Sequence, residues 1–210
     1  MRALPRLHLV TDERIVRGSG FRATAEALLH AGESRVALHL RAPGLSGREL
    51  FGLAAPLSDA ARAAGAALLV NDRVDVALAV GANGVQLGTR GLAPADARRL
   101  LGRGPWIGAS VHSAAAAAAA LDEGADFVVA GTLFATASHP GRAGQGVGWL
   151  RAIPGGAGRV IGIGGVSLER VAIVAGEAHG VAVIRAVWDA PRPVEALRDF
   201  LDALHERDGE

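Results

Sequence analysis

Three features of the 210-residue sequence predict an α/β fold, a (β/α)8 TIM barrel formed by residues 1–210 as one domain. Short apolar runs alternate with longer Ala-, Arg- and Leu-rich stretches of helical character, the pattern of a parallel sheet whose strands are joined by helices. Eight such units are present, with no half unit left over. Alternation alone also allows a doubly wound open sheet; the complete set of eight favours closure. The third feature lies near the C-terminus. There Ile161-Gly162-Ile163-Gly164-Gly165 and Val181-Ala182-Val183-Ile184-Arg185-Ala186 each read as a buried strand whose end leaves backbone N–H groups bare. In a barrel of this class the loops after the last two strands cradle a phosphate at the C-terminal face. Glycine lets the backbone approach the anion, and a helix N-terminus adds a favourable dipole.

Taken in order, strands are expected at 7–11, 35–40, 67–70, 84–87, 106–109, 126–130, 159–163 and 180–184. Helices are expected between and after them at 21–31, 47–64, 73–80, 94–101, 114–123, 146–152, 167–175 and 193–206. Ala64-Gly65-Ala66 stops one helix and turns tightly into the third strand. Gly81-Ala82-Asn83-Gly84 and Glu123-Gly124-Ala125-Asp126 do the same before the fourth and sixth strands. These turns belong to the N-terminal face, where barrels of this class keep structural rather than catalytic residues. The alanine run at 114–120 has the strongest helix propensity available, and Ser113 stands where a cap is needed. Residues 131–146 form the longest stretch without a regular pattern. Following the sixth strand, such a loop would overhang the barrel mouth and could close on a substrate.

Composition excludes several chemistries. Half the residues are hydrophobic and one fifth charged, which suits a globular interior of generous size. Net charge is +1, so there is no electrostatic footprint for nucleic acid. With no cysteine there are no disulfides, no thiolate metal sites and no cysteine nucleophile, a composition that fits a cytoplasmic protein. All 22 Lys+Arg residues are arginine, which removes the lysine amine that Schiff-base chemistry needs. No segment reaches the roughly 18 consecutive apolar residues of a membrane helix. Met1-Arg2-Ala3-Leu4-Pro5-Arg6 runs straight into a strand without the apolar core of a signal peptide.

If the barrel closes, chemistry belongs at the C-terminal strand ends. The polar residues there are Thr11 and Asp12, His39 and Arg41, Asn71 and Asp72, Gln86, Ser110 and His112, Thr132, and Arg185 after the Gly164/Gly165 pair. His39 and Arg41 are two residues apart and so face the same side of an extended segment. Burying an arginine there is costly without an anion to meet it. Asp72 can equally cap the helix that follows, and His112 can simply bond a neighbouring carbonyl. His30, His179 and His205 read as structural, and Asp96, Arg98 and Arg99 as a solvated helix face. In the 131–146 loop, His139 and Arg142 are the titratable and cationic groups.

These residues, in this order, resemble the thiamine phosphate synthase/TenI family over nearly the whole chain. The resemblance rests on Leu9-Val10-Thr11-Asp12, on Asn71-Asp72-Arg73-Val74-Asp75-Val76-Ala77 and on Gly81 through Gly88. Ser110-Val111-His112-Ser113, Gly131 through Thr136, Gly144-Gln145-Gly146-Val147 and Ile163-Gly164-Gly165 continue it. It implies a phosphorylated thiazole as substrate, with Gly164, Gly165 and Ala186 holding the phosphate; Arg185 stands where the family commonly has serine, and a charge-assisted contact from it is an expectation special to this chain. Arg41, Asn71, Asp72, Gln86, Ser110, Thr132 and Thr136 would contact the rest of the ligand. The family's synthases join a hydroxymethylpyrimidine diphosphate to a thiazole phosphate, with Mg²⁺ helping pyrophosphate leave. Its TenI-type members include a tautomerase that aromatises a carboxythiazole phosphate.

The chain departs from the synthase pattern after the second strand, where His39, Arg41 and Pro43 stand in place of Gln, Arg and a nearby Lys, so that only the arginine is kept. Gly88-Thr89-Arg90-Gly91 lacks a second Mg²⁺ carboxylate, and His139 replaces a lid lysine. These departures favour a TenI-like thiazole phosphate tautomerase needing no cofactor, with His39 or His139 moving the proton because Thr132 stands where the tautomerase has histidine. A divergent Mg²⁺-dependent synthase, using Asp72 as metal ligand, is the alternative. A non-catalytic regulator that binds thiazole or thiamine phosphate is a third reading, and homodimer formation is left open.

Overall fold

In the computed structural model, which describes residues 3–136 and 143–205, eight parallel strands close into a barrel in chain order. They are β1 (Leu7–Val10), β2 (Val36–Leu40), β3 (Ala67–Asn71), β4 (Gly84–Leu87), β5 (Trp106–Val111), β6 (Phe127–Ala130), β7 (Val160–Ile163) and β8 (Gly180–Val183). β1 pairs with β2 on one side and β8 on the other, so the sheet has no edge. The expected barrel is therefore the observed fold.

Around it lie α1 (Glu13–Val16), α2 (Phe21–Gly32), α3 (Gly47–Ala64), α4 (Val74–Val80), α5 (Pro94–Leu101), α6 (Ala114–Asp122), α7 (Val171–Ala175), α8 (Arg185–Trp188) and α9 (Pro193–His205). Local chemistry sets their ends. Ser46 begins α3 with a reciprocal capping box to Glu49, and Gly65 ends it in the left-handed conformation at φ 74°. Gly81 ends α4 in the same way at φ 62°. Ser113 accepts from the Ala116 amide, and the alanine run behind it becomes α6.

Two expected helices are corrected. The segment at 146–152 is a 3₁₀ turn, Gly148–Ala152, because Gly146 takes φ 71° and the extended Ile153 leads into Pro154-Gly155-Gly156. The segment at 167–175 divides into a 3₁₀ turn (Leu168–Arg170) and the short α7. The sequence pattern also misses α1 and α8, each too short to show a helical period.

Apolar surface is buried in two places. The larger core lies between the helices and the outer face of the barrel, and includes Leu7, Leu9, Leu38, Leu40, Leu68 and Val70. The smaller core fills the barrel itself, with Val10, Ala37, Leu69, Trp106, Phe127, Val129, Ile161 and Ala182. Strand alternation sorts the residues between the two. It also brings His8 and His39 inward with Val10 and Ala37: both histidines are buried and both rings meet Phe127. A β-carbon at Gly108 would collide with Gln86 Oε1 and Phe127, so only glycine leaves room for that floor. Among the described residues, no helix is long and apolar enough to cross a membrane.

Candidate functional site

A cavity of about 1270 Å³ opens at the C-terminal ends of the strands. Its lining brings together His39, Arg41, Asn71, Asp72, Gln86, Ser110, Thr132, Thr136, Gly164, Gly165, Arg185 and Ala186. These are all the site residues expected from the sequence except His139, which lies outside the described residues, as does Arg142. Arg90, Asp12 and His112 join the lining.

The wall from β1 and β2 is braced from below. Thr11 is buried; its hydroxyl donates to the Arg41 carbonyl at 2.9 Å and accepts from the Arg41 amide at 2.8 Å. Thr11 is thus a clamp that holds Arg41 at the mouth. The Arg41 side chain is exposed to the cavity and, like Arg90 and Arg185, forms no ion pair among the described residues. Other arginines nearby are neutralised: Arg73 by Asp75 at 2.6 Å and Arg14 by Asp189 at 2.6 Å.

His39 lies beneath Arg41 on β2. Its Nε2 is 2.7 Å from His8 Nδ1, and His8 Nε2 is 2.9 Å from the Pro5 carbonyl at the bottom of the barrel. Burial pushes the His8 imidazole down to about 4. Burial, followed by the neighbouring His8, lowers His39 well below its usual 6.5. The polar strand ends do not reveal His8 as part of the site. A signal for it exists in the sequence all the same: it shares the inward period of β1 with Val10, and a polar residue at an inward position needs a partner.

The wall from β3 to β5 is polar. Asp72 takes φ 58°, an unusual conformation for an aspartate, and its Oδ1 accepts from the Gly88 amide at 2.6 Å. It does not cap α4, whose N-cap is Arg73; the carboxylate is turned instead toward the β4 loop, against Gly88 and Gly91. Gln86 Nε2 donates to Ser110 Oγ at 3.0 Å. Gln86 Oε1 and Asn71 Oδ1 are buried and have no protein partner among the described residues. His112 Nδ1 donates to the Gly131 carbonyl, the plain reading its position allowed. Asp12 caps α1 by accepting from the Ile15 amide at 2.9 Å.

Opposite stands the glycine pair. Gly164 and Gly165 take φ 102° and 64°, which side chains other than glycine rarely adopt. The β6 loop zips onto them: the Leu133 amide donates to the Ile163 carbonyl and the Phe134 amide to the Gly164 carbonyl, both at 2.9 Å. A β-carbon on Gly164 would sit 2.6 Å from Thr132 Cγ2, and one on Gly165 2.6 Å from the Ala135 carbonyl. Next to this pair, Arg185 and Ala186 start α8, where first-turn amides have no intrahelical acceptor.

Residues 7–187 match the family model described as thiamine monophosphate synthase, TMP-TENI. This chain belongs to the TMP-TENI family. A thiamine-phosphate synthase of Methanoculleus marisnigri is 41% identical over 203 residues, covering 94% of this chain and 95% of that protein. The bifunctional thiamine biosynthesis protein ThiM/ThiE of Symbiobacterium thermophilum is 47% identical over 161 residues, 75% of this chain; this chain spans only 33% of that protein. Among solved structures, a thiamine phosphate pyrophosphorylase from Pyrococcus furiosus superposes with a TM-score of 0.81 at 30% identity, covering 96% of each chain. Of these relatives the Methanoculleus protein carries the synthase name, which favours the reading held as the alternative over the expected TenI branch.

Proposed function

We propose that this chain is a thiamine-phosphate synthase, joining a hydroxymethylpyrimidine diphosphate to a thiazole phosphate with release of pyrophosphate. The observation that carries the proposal is the cationic mouth. Arg41, Arg90 and Arg185 enter one cavity without an ion pair among the described residues, and Asp72 stands exposed among them. Guanidinium groups left unpaired at a cavity mouth suit phosphate and diphosphate, which they grip by charge-assisted hydrogen bonds. The cavity exceeds the roughly 300–1000 Å³ usual for one small ligand, which supports a site for two. The synthase name of relatives aligned along nearly their full length supports the same reaction.

In this reading a C–N bond forms as the C–O bond to the diphosphate breaks, and negative charge gathers on the departing pyrophosphate. Gly164, Gly165, Arg185 and Ala186 hold the thiazole phosphate through backbone amides and one guanidinium. Arg41 and Arg90 meet the diphosphate and stabilise the charge that develops as it leaves. Asn71, Gln86, Ser110, Thr132 and Thr136 line the space between and hold the two rings in reacting orientation. The family implies Mg²⁺, and Asp72 fits as its carboxylate ligand. One of its oxygens is held by Gly88, and the other meets no group among the described residues. Bound Mg²⁺ supplies charge neutralisation on the diphosphate. No group of three His, Cys, Asp or Glu among the described residues could hold a metal, so Asp72 would hold Mg²⁺ only together with oxygens of the substrate diphosphate.

The tautomerase reading has less support. Protonating His39 is so costly at its buried position that it makes a poor proton acceptor near neutral pH. The deciding experiment mixes the protein with both substrates and follows pyrophosphate and thiamine phosphate. Mg²⁺-dependent formation of both, abolished by chelation, is expected. Aromatisation of the tautomeric thiazole phosphate without metal, and no pyrophosphate, would overturn the proposal.

A further inference from the structure

The two buried histidines form a one-way chain of hydrogen bonds from the bottom of the barrel to the cavity floor. Its direction is set by one atom. The Pro5 carbonyl can only accept, so His8 Nε2 carries the hydrogen that meets it. His8 is fully buried and neutral, with its pKa near 4, which leaves Nδ1 as a bare acceptor. His39 Nε2, 2.7 Å away, must then be the donor. Because His39 is also buried and neutral, its own Nδ1 carries no hydrogen. That Nδ1 has no partner among the described residues, and His39 lines the cavity. On the adjoining strands β3 and β4, Asn71 Oδ1 and Gln86 Oε1 are buried acceptors without a partner among the described residues. An unpaired buried acceptor is costly, and two beside the bare His39 Nδ1 call for a ligand that donates.

We propose that His8 is a positioning residue that locks His39 as a hydrogen-bond acceptor, so that the cavity floor selects a heteroaromatic ligand bearing an exocyclic amino group. This deepens the synthase reading, on which the choice of a pyrimidine ring rests; the tautomer lock itself does not depend on the reaction. The lock matters because histidine otherwise presents either a donor or an acceptor at Nδ1 with little preference. With His8 in place the donor form is closed to it. A ring carrying an oxo group at the amino position would then set acceptor against acceptor.

Two measurements test this. First, nitrogen-15 NMR of the ligand-free protein is expected to show both histidines neutral, with hydrogen on Nε2 and a bare Nδ1. A hydrogen on His39 Nδ1, or a charged pair at pH 7, would overturn the lock whatever the enzyme's activity. Second, calorimetry compares an aminopyrimidine alcohol with counterparts carrying hydrogen or oxo in place of the amino group. The expected order is amino, then hydrogen, then oxo, with about tenfold between the first two, the worth of one hydrogen bond. His8→Asn puts an amide oxygen near the Nδ1 position and is expected to keep the order. His8→Leu frees the His39 tautomer and is expected to shrink the amino-to-oxo preference by about tenfold or more. An unchanged preference in His8→Leu would defeat the positioning role. If His8→Leu does not fold, the NMR result on the unaltered protein decides alone. Loss of the synthase reaction with the tautomers as expected would count against the proposed function and leave the lock standing.

Discussion

Arg185 opens α8 one residue beyond β8, lines the cavity with the glycine pair, and has no carboxylate partner among the described residues. An exposed guanidinium loses little by being unpaired in water, so it is free to give its full strength to an arriving phosphate. Arg185→Ala is expected to raise KM for the thiazole phosphate by about tenfold to a hundredfold, with a smaller change in kcat, because the contact is present before and during reaction. Initial-rate kinetics with the thiazole phosphate varied will read this split. Asp72 differs in kind. Its carboxylate is positioned by the Gly88 amide, and Asp72→Asn keeps that acceptor while removing the charge. The expected result is a loss in kcat of about a hundredfold and a raised Mg²⁺ requirement, measured by metal titration of the rate. Both residues are legible in the sequence as candidates. The arginines that matter separate from the rest only in three dimensions, since Arg73 and Arg14 are paired with Asp75 and Asp189.

At the scale of elements, the site depends on how β7 meets the loop after β6. Two amide-to-carbonyl bonds extend the pairing of β6 and β7 past the barrel rim, and Gly164 and Gly165 provide the bare backbone that makes this approach possible. In Gly164→Ala the new β-carbon would meet both Thr132 Cγ2 and its Cα, at 2.6 and 2.9 Å, in a conformation already unfavourable for alanine. A stability loss of about 2–3 kcal/mol is expected in urea unfolding, together with weakened thiazole phosphate binding. Elements marked by a cap and a helical period are legible in the amino-acid sequence alone. α3 and α5 run over the expected residues, and Ser113 caps α6 as its position suggests. α1 and α8 are not legible there, since a single turn carries too few residues for a period, and its hydrogen bonds are decided by the strand it follows.

For the whole molecule, the parallel pairing of β1 with β2 brings residues 31 positions apart in the chain, His8 and His39, into contact inside the barrel. It also gives the fold a dependence on pH. The folded state lowers the His8 pKa from 6.5 to about 4, so the unfolded chain binds the proton more readily. Stability is therefore complete above about pH 6.5 and falls as pH drops toward 4, by roughly 3 kcal/mol from His8 alone. His39 acts in the same direction. Urea midpoints measured at pH 7.5 and pH 4.5 are expected to show this fall, and a His8→Leu protein that folds should show less of it. The sequence by itself determined the architecture and the rim: eight alternating units, glycine turns and polar strand ends follow from local periods and backbone preferences, which short-range chemistry enforces. Only the tertiary structure decided which arginines are free, that Asp72 turns to Gly88 rather than capping a helix, and that His39 rests on His8. Each of these is a choice among partners far apart in sequence, and it is settled by which strands lie side by side once the sheet closes on itself.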